Sequence, residues 1–446
     1  MSAAWCAAPG TEQAASDRAA LLSFKSLVDD DPFGALSSWN NRSLHYCRWR
    51  GVSCSRRHPG RVTALNFKSL RLAGFVSPAV ANLTFLRTID LSNNKLGGSI
   101  PEELGSLRRL RHLNLSVNSL RGTIPSSLGN CSNLQQLILA DNKLNGEIPP
   151  TLSRLSSLRD LILNQNMLEG TIPDSIGNLS SLLFLSLDKN NLSGPMPPSF
   201  GSLLSLKILQ IQFNNLTGTI PPTLANISSL NQLLLRENNL HGEIPHFAEL
   251  PSLSIVDCTS NYLFGTVPIS LGRLSSLEYL VLGMNNLTGD IPSSLYNLSS
   301  LKALALPYNQ LEGTLPSDFG NALPNLQVLL MYYNQLRGRI PASLSNASEL
   351  NNIELSFNAF HGTIPPSLGA LQSLKRLELF GNLLEARKPS DWSFITALTN
   401  CTSLQVLDLG DNLLQGMMLK SIVNLSTSLN ILALYTSNIR NYTYRD

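Results

Sequence analysis

The sequence predicts an α/β solenoid, a right-handed superhelix with a parallel concave sheet and an N-terminal helical cap. Three observations predict this fold: a 24-residue repeat period, a leucine at about one residue in five, and Gly and Pro at fixed places in the repeat. One repeat shows the pattern through Leu86, Ile89, Leu91, Asn94, Leu96, Gly98, Ile100 and Pro101. The period and the L-x-x-L-x-L-x-x-N pattern define a leucine-rich repeat, in which every unit contributes one strand.

The repeated asparagine sets the register of the array. It recurs at Asn94, Asn118, Asn142, Asn166, Asn190, Asn214, Asn238, Asn261, Asn285, Asn309, Asn334, Asn358, Asn382 and Asn412. Leu70 holds the equivalent place in the first repeat, and Ser437 holds it in a degraded last repeat. We therefore predict about sixteen leucine-rich repeats over residues 61–446. Leucines flanking an outward residue, as Leu113 and Leu115 flank Asn114, point inward with the two-residue strand period.

Composition and motifs exclude several classes of function. The net charge is only +3, which gives no reason to expect nucleic acid as a partner. No apolar stretch reaches the roughly 18 residues that a membrane-spanning helix needs. The motifs typical of metalloproteases, α/β-hydrolases and phosphate-binding loops are missing from the sequence. We predict no catalytic, metal or cofactor-binding residues, and therefore no enzyme.

An N-terminal cap is expected to close the exposed core of the first repeat. Residues 1–16 carry no pattern and are predicted to be unstructured, whereas residues 17–60 form the cap. An amphipathic helix begins after Ser16 or Asp17 as N-cap. Cys47 and Cys54 flank a short apolar turn within the cap, and we predict that they form a disulfide.

The remaining cysteines are predicted to be structural or have no assigned role. Cys258 takes a strand-leucine position, and Cys131 and Cys401 take matching repeat positions, so all three are expected in the core. Cys6 has no assigned role.

Two irregularities interrupt the array. The spacing between Asn382 and Asn412 is 30 residues, which predicts an insertion loop at 385–398 containing Trp392 and Phe394. This loop either packs on itself or contacts a ligand or partner. At the other irregularity, after Asn412, the repeat pattern degrades without a capping motif, which indicates a truncated chain.

The cap and repeat motifs resemble a plant leucine-rich-repeat receptor-like kinase ectodomain. The resemblance rests on Asp17 to Lys25, Trp39, the Cys47-x-Trp49-x-Gly51-Val52-x-Cys54 motif and the plant-specific L-x-G-x-I-P repeats. The loop with Asp391, Trp392 and Phe394 resembles the subfamily of the flagellin, elongation-factor-peptide and rice bacterial-blight resistance receptors.

This resemblance implies an extracellular peptide or protein ligand, a possible co-receptor kinase and a plasma-membrane location for the full-length relative. It also implies the Cys47–Cys54 disulfide. The chain departs from the family because its sequence lacks a recognisable signal peptide, membrane helix and kinase signature. A secreted repeat protein, such as an inhibitor of pathogen cell-wall hydrolases, and a non-functional receptor fragment are alternatives.

Outward strand positions form the predicted binding surface. Aromatic and acidic residues cluster within five successive repeats and resemble a binding hot spot with a polar rim. The predicted ligand-binding residues are Tyr279, Tyr308, Leu330, Tyr332, Tyr333, Glu354, Phe357, Glu378 and Phe380. Alternatively, the aromatic residues directly before the repeated asparagine are half-buried packing residues. The cations Lys302, Lys375 and Arg376 beside the acids favour an extended peptide of mixed charge.

Glycan acceptor motifs fit an extracellular location. We predict acceptors at Asn41, Asn82, Asn130, Asn178, Asn191, Asn215, Asn226, Asn286, Asn297, Asn346, Asn400 and Asn424. Asn114 also lies in such a motif, but a glycan there would block the concave face.

Overall fold

The computed structural model describes residues 9–40, 44–247, 249–417, 420–435 and 438–440. It consists of two compact units, Met1–Thr217 and Gly218–Asp446. Each repeat supplies one strand to a long sheet, one strand to a second sheet and, in most repeats, a short 3-10 helix. The predicted leucine-rich-repeat fold is confirmed.

The long sheet of the first unit is parallel because every repeat enters it in the same direction. Leu113 pairs with Leu137, and both side chains are fully buried. Val52–Cys54 adds an antiparallel strand beside the first parallel one. The parallel strands are Val62–Asn66, Thr88–Asp90, His112–Asn114, Gln136–Ile138, Asp160–Ile162, Phe184–Ser186 and Ile208–Gln210.

The long sheet of the second unit repeats this arrangement. Leu329 pairs with Ile353, which pairs with Leu377, so inward residues stack in rows through the core. Its strands are Gln232–Leu234, Ile255–Asp257, Tyr279–Val281, Ala303–Ala305, Val328–Leu330, Asn352–Glu354, Arg376–Glu378, Val406–Asp408 and Ile431–Ala433.

Shorter strands form the second sheets. In the first unit they are Ala73–Phe75, Lys95–Gly97, Arg121–Gly122, Lys143–Gly146, Met167–Thr171, Asn191–Pro195 and Asn215–Thr217, with Val28–Asp30 antiparallel to the first. In the second unit they are His241–Gly242, Tyr262–Thr266, Asn286–Asp290, Gln310–Glu312, Arg337–Gly338, Ala359–Gly362, Leu383–Ala386, Leu413–Met417 and Asn438–Arg440.

Helices close the cap and the outer side of most repeats. The α-helices are α1 (Pro9–Ser26), α2 (Phe319–Ala322) and α3 (Ser393–Leu398). The 3-10 helices are Ser37–Asn40, Tyr46–Arg48, Pro78–Asn82, Glu102–Ser106, Ser126–Asn130, Pro150–Arg154, Asp174–Asn178, Pro198–Ser202, Pro222–Asn226, Ile269–Arg273, Ser293–Asn297, Ala342–Asn346, Pro366–Ala370, Pro389–Trp392 and Lys420–Asn424. Where the described repeats keep the Ile-Pro motif, the proline precedes the helix and fixes the chain direction.

The repeated asparagine forms hydrogen bonds with backbone groups of the turn that have no partner in a strand. Asn309 Nδ2 lies 3.1 Å from the carbonyl oxygen of Leu306 in its own repeat and 3.1 Å from that of Leu282 in the preceding one. Its Oδ1 accepts from the Leu287 N–H at 3.0 Å. The amide therefore ties neighbouring repeats together.

The cap differs from the prediction in two respects. Helix α1 begins at Pro9 rather than near Asp17, because proline suits a first helical turn and the following alanines favour helix without an apolar pattern. Asp17 is not an N-cap. It lies fully buried within α1, pairs with Arg61 at 3.2 Å and accepts a 2.8 Å bond from the Val62 N–H. Its carboxylate therefore fastens the cap helix to the first repeat.

The cysteines of the described residues have the predicted environments. Cys47 and Cys54 form the disulfide of the cap, beside the stacked Trp39 and Trp49 rings. Cys131, Cys258 and Cys401 are fully buried, and burial raises the pKa of the Cys131 and Cys401 thiols to about 11 and that of Cys258 further still. These three thiols belong to the core. Cys6 lies outside the described residues.

The insertion at 385–398 packs on itself through the stacked Trp392 and Phe394 rings, and also on the neighbouring repeats. It forms a 3-10 helix and α3, and Trp392 and Phe394 are each 1% exposed. Trp392 Nε1 donates to the Gln415 carbonyl oxygen at 3.1 Å. The insertion therefore fills the core of its own unit. Among the described residues, no helix is long and apolar enough to cross a membrane.

Candidate ligand-binding cleft

A cleft of about 370 Å³ opens on the outward face of the long sheet in the second unit. We call this outward face the ligand face and the opening the aromatic–acidic cleft. It is lined by Tyr332, Tyr333, Glu354, Ser356, Phe357, Glu378, Phe380, Asp408 and Tyr435. These residues come from the outward strand positions of successive repeats and from the turns that follow them.

A ladder of aromatic rings forms one wall of the cleft. Tyr308 stacks on Tyr333 with ring centroids 4.4 Å apart, and Tyr333 stacks on Phe357 at 4.0 Å. Phe380 meets Phe357 edge-on at 4.8 Å and approaches Tyr435 at 5.6 Å. Since stacked and edge-on aromatic pairs stabilise one another, the rings of the ladder hold each other in place.

The backbone explains why this ladder faces outward. Tyr308, Tyr333 and Phe357 have φ of 51°, 53° and 54°, in the left-handed region that bulky residues rarely adopt. Each directly precedes a repeated asparagine, whose hydrogen bonds hold the turn. The three side chains are 42%, 39% and 37% exposed. They are therefore displayed at the surface, where they stack on one another.

Three carboxylates line the other side of the cleft. Glu354, Glu378 and Asp408 occupy equivalent positions on consecutive strands. Arg376 binds Glu378 Oε1 through Nη2 at 2.6 Å and lies 3.4 Å from Glu354. Burial raises the pKa of the Glu354 and Asp408 carboxyls, and neighbouring Glu378 raises them further. Within the described chain, no group of these residue types has a geometry that could hold a metal ion.

Tyr332 lies where the aromatic wall meets the acids. Its ring meets Tyr308 edge-on at 5.3 Å. Partial burial, followed by the charge of Glu354, raises the pKa of its phenol. Tyr332 therefore stays protonated and offers a hydroxyl donor beside the carboxylates.

The structure brings most of the predicted ligand-binding residues together. Tyr332, Tyr333, Glu354, Phe357, Glu378 and Phe380 line the cleft, and Tyr308 extends its aromatic wall. Tyr279 and Leu330 lie outside the lining. Tyr279 belongs to a strand separated from the Val328 strand by Ala303–Ala305. Leu330 is half-buried and pairs with Glu354 at the edge of the cleft.

Three lining residues were not among the predicted site residues. Asp408 occupies the same strand position as Glu354 and Glu378, and this alignment in the sequence could have identified it. Tyr435 lies in the degraded last repeat, where the register is hard to assign. Ser356 could not be identified from the sequence, because serine is common in the repeats and only the structure shows that this one is buried in the wall of the cleft.

Two of the three predicted cations are already paired, whereas Lys375 is exposed and takes part in none of the ion pairs among the described residues. Lys302 Nζ lies 2.8 Å from Glu278 Oε2, and Arg376 binds Glu378. Lys302 and Arg376 are therefore held by acids of this chain, and in the cleft Glu354, Glu378 and Asp408 outnumber the one cation that contacts them.

The described glycan acceptors lie outside the outward strand positions of the long sheets. Acceptors at the last residue of 3-10 helices are Asn82, Asn130, Asn178, Asn226, Asn297, Asn346 and Asn424, and Asn400 follows α3. Asn191, Asn215 and Asn286 begin strands of the second sheets. All of these side chains are exposed. Asn41 lies outside the described residues. Asn114, by contrast, is half-buried at an outward strand position of the long sheet in the first unit, and its Oδ1 accepts from the Ser116 hydroxyl at 2.7 Å.

These features define a leucine-rich-repeat protein with an aromatic–acidic cleft on the outward face of its long sheet. The family model for a leucine-rich repeat region matches residues 65–287, half of the chain. A leucine-rich repeat N-terminal domain matches residues 14–55, and a further leucine-rich repeat matches 325–347. The chain belongs to the leucine-rich-repeat family.

The curated relatives are plant receptor kinases, as the sequence predicted. A probable leucine-rich-repeat receptor-like serine/threonine-protein kinase of Arabidopsis thaliana is 48% identical over 79 residues, which are 18% of this chain and 8% of that protein. Receptor kinase-like protein Xa21 of Oryza sativa is 46% identical over 84 residues, with the same coverage. The receptor kinase EFR of Arabidopsis is 44% identical over 80 residues, again with the same coverage. The matches therefore span about 8% of the length of these relatives.

Solved structures extend the similarity along the chain. A TDR receptor has a TM-score of 0.79 and 32% identity, covering 84% of this chain and 64% of that one. The plant peptide hormone receptor RGFR1, in complex with RGF2, has a TM-score of 0.68 and 31% identity, covering 88% and 72%. The Arabidopsis receptor kinase HAESA, in complex with the peptide hormone IDA and the co-receptor SERK1, has a TM-score of 0.64 and 28% identity, covering 95% and 86%.

Proposed function

We propose that the chain is the extracellular ligand-recognition module of a plant receptor-like Ser/Thr kinase and binds a peptide across the aromatic–acidic cleft. The observation that carries the proposal is the cleft itself, in which exposed rings from consecutive repeats lie beside carboxylates. Exposed apolar patches rimmed by polar groups mark interaction sites, and aromatic anchors dominate their binding energy.

The known relatives support a peptide as the ligand. RGFR1 and HAESA were solved with peptide hormones, and HAESA also with a co-receptor. By analogy, the ligand of this chain is a peptide in immune or developmental signalling, and a co-receptor kinase is a second partner. The acceptor asparagines away from the ligand face fit an extracellular module of this kind.

The proposal is tested by selecting linear peptides from a random display library on the full chain and measuring their affinity by calorimetry. Tyr332→Ala and Phe380→Ala are each expected to weaken binding at least tenfold, because each removes a ring from the cleft. Phe264→Ala is the matched control, since Phe264 is 50% exposed on the second sheet of the same unit. Thermal melts check that all variants fold. Unchanged affinity in both cleft variants contradicts the proposal.

A further inference from the structure

The aromatic–acidic cleft has more negative than positive charge. Two of its three carboxylates share one guanidinium, because Arg376 contacts Glu378 and Glu354. Asp408 accepts a 3.0 Å bond from the Gly410 N–H, and in the described part of the chain no Lys or Arg pairs with it. The cleft therefore contains a carboxylate that lacks a cation.

A second observation points to a missing hydrogen-bond partner in the same place. Ser356 lines the cleft and is 7% exposed, and its hydroxyl has no partner among the described residues. A buried polar group without a partner is costly, so such groups are normally satisfied. The chain therefore leaves a polar group in the wall of the cleft unsatisfied.

The aromatic lining favours a flat cation over a compact one. Phe357, Phe380 and Tyr435 line the cleft together with Asp408. Rings attract cations over their faces within about 6 Å, and guanidinium stacks there while keeping its in-plane donors for carboxylates. Beside the cleft, Arg376 shows the in-plane half of this geometry, since it directs both Nε and Nη2 at Glu378 Oε1, at 2.9 and 2.6 Å.

We infer that the cleft is a subsite for an arginine side chain of the ligand, with Asp408 as its carboxylate partner and Phe357, Phe380 and Tyr435 as its stacking surface. This inference rests on the proposed function, because it names the chemical class of residue that the peptide presents. A cation beside Asp408 and Glu354 also favours their ionised forms, which burial disfavours.

The test compares three probes on the full chain by ligand-observed NMR: Nα-acetyl-arginine amide, its neutral isostere Nα-acetyl-citrulline amide, and Nα-acetyl-lysine amide. The arginine probe is expected to bind at least tenfold more tightly than citrulline and more tightly than lysine. Asp408→Asn preserves the shape of the side chain and is expected to remove most of the preference over citrulline. Phe357→Leu is a second variant and is expected to reduce the preference over lysine. Glu349→Gln, at an exposed acid outside the cleft, is the control and is expected to change nothing.

The outcomes distinguish failure of the arginine subsite from failure of the proposed peptide-binding function. Equal binding of arginine and citrulline, or an arginine preference undiminished by Asp408→Asn, overturns the subsite. Equal binding of lysine overturns the assignment to guanidinium. If library peptides bind through Tyr332 and Phe380 without any arginine preference, only the subsite fails. If the arginine probe binds as expected but no peptide is selected, only the peptide function fails.

Discussion

The residue before each repeated asparagine is free to vary in ways that inward residues are not. Val117, Lys189 and Glu237 occupy this left-handed position in other repeats, with φ between 52° and 56°. The fold therefore demands the backbone conformation there but not a particular side chain. Because packing does not dictate aromatic residues at Tyr308 and Phe357, their clustering is best explained by the surface that they form.

The repeated asparagine, in contrast, cannot vary freely, because its side-chain amide makes hydrogen bonds that the turn requires. Asn309→Ala leaves the carbonyl oxygens of Leu282, Leu306 and Pro307 and the Leu287 N–H without their partner. Unsatisfied buried groups cost about 1–3 kcal/mol each when water cannot reach them. We expect a loss of about 3 kcal/mol, measured as a lower urea midpoint by circular dichroism.

Two further substitutions sharpen this expectation. Asn309→Asp keeps the shape but at neutral pH directs an acceptor at three carbonyl oxygens, so it should be at least as unstable as the alanine variant. Its stability should recover in part as the pH falls towards about 4, where the carboxyl gains a proton to donate. Gln310→Ala, at the exposed neighbouring position, should be neutral. If Asn309→Ala is equally neutral, the amide does not hold the turn.

At the scale of elements, small changes in repeat length alter the local helix. Asn309 and Asn334 are 25 residues apart, and this repeat contains α2, a single α-helical turn, where most repeats have a 3-10 helix. The extra residue permits bonds from the Ala322 N–H to the Asp318 carbonyl oxygen and from the Leu323 N–H to that of Phe319. The longer insertion after Asn382 likewise provides the extra residues that form α3.

The insertion is expected to contribute to the stability of its unit through Trp392. Trp392→Ala should cost about 3–5 kcal/mol, because it removes a ring that is 1% exposed and leaves a cavity. Trp392→Phe retains most of the ring and loses the bond to the Gln415 carbonyl oxygen, so it should cost about 1 kcal/mol beyond a small packing loss. Urea unfolding monitored by far-UV circular dichroism measures both losses of stability, because this signal reports the backbone and does not require the tryptophan.

Gln415→Ala is the matched control for this series. Its side chain is exposed, and the substitution retains the carbonyl oxygen that accepts from Trp392. The control should unfold like the native chain. Should Trp392→Ala do the same, the insertion would be peripheral to the fold, and its role would have to be sought in contacts with a partner.

At the scale of the molecule, the sequence predicts the fold far better than the site. The 24-residue period assigns an inward or outward direction to nearly every strand residue, because the strand period is two. It places Glu354, Glu378 and Asp408 in one column. It does not show that Asp17 serves a tertiary ion pair, that Ser356 is buried without a partner, or that Tyr435 reaches the same cleft, because those properties depend on packing between repeats.

The distribution of glycan acceptors yields a prediction about the whole molecule. The described acceptors among those predicted lie on 3-10 helices, after α3 or on second-sheet strands, so glycans there leave the ligand face accessible. Val328→Asn combined with Leu330→Thr creates an acceptor motif on the ligand face, one strand before Glu354. In protein secreted from plant cells, a glycan there should abolish binding of library-selected peptides by covering the cleft.

Matched variants separate the glycan from the substitutions. Leu330→Thr alone creates no acceptor and should retain most of the affinity, and enzymatic removal of the glycan from the double variant should restore binding to that level. Removing the native glycans should leave affinity unchanged, because the predicted acceptors Asn297 and Asn346 lie on 3-10 helices rather than on the ligand face. Mass spectrometry establishes occupancy at each position. If the new site is occupied and peptides still bind with native affinity, the ligand lies elsewhere than the aromatic–acidic cleft.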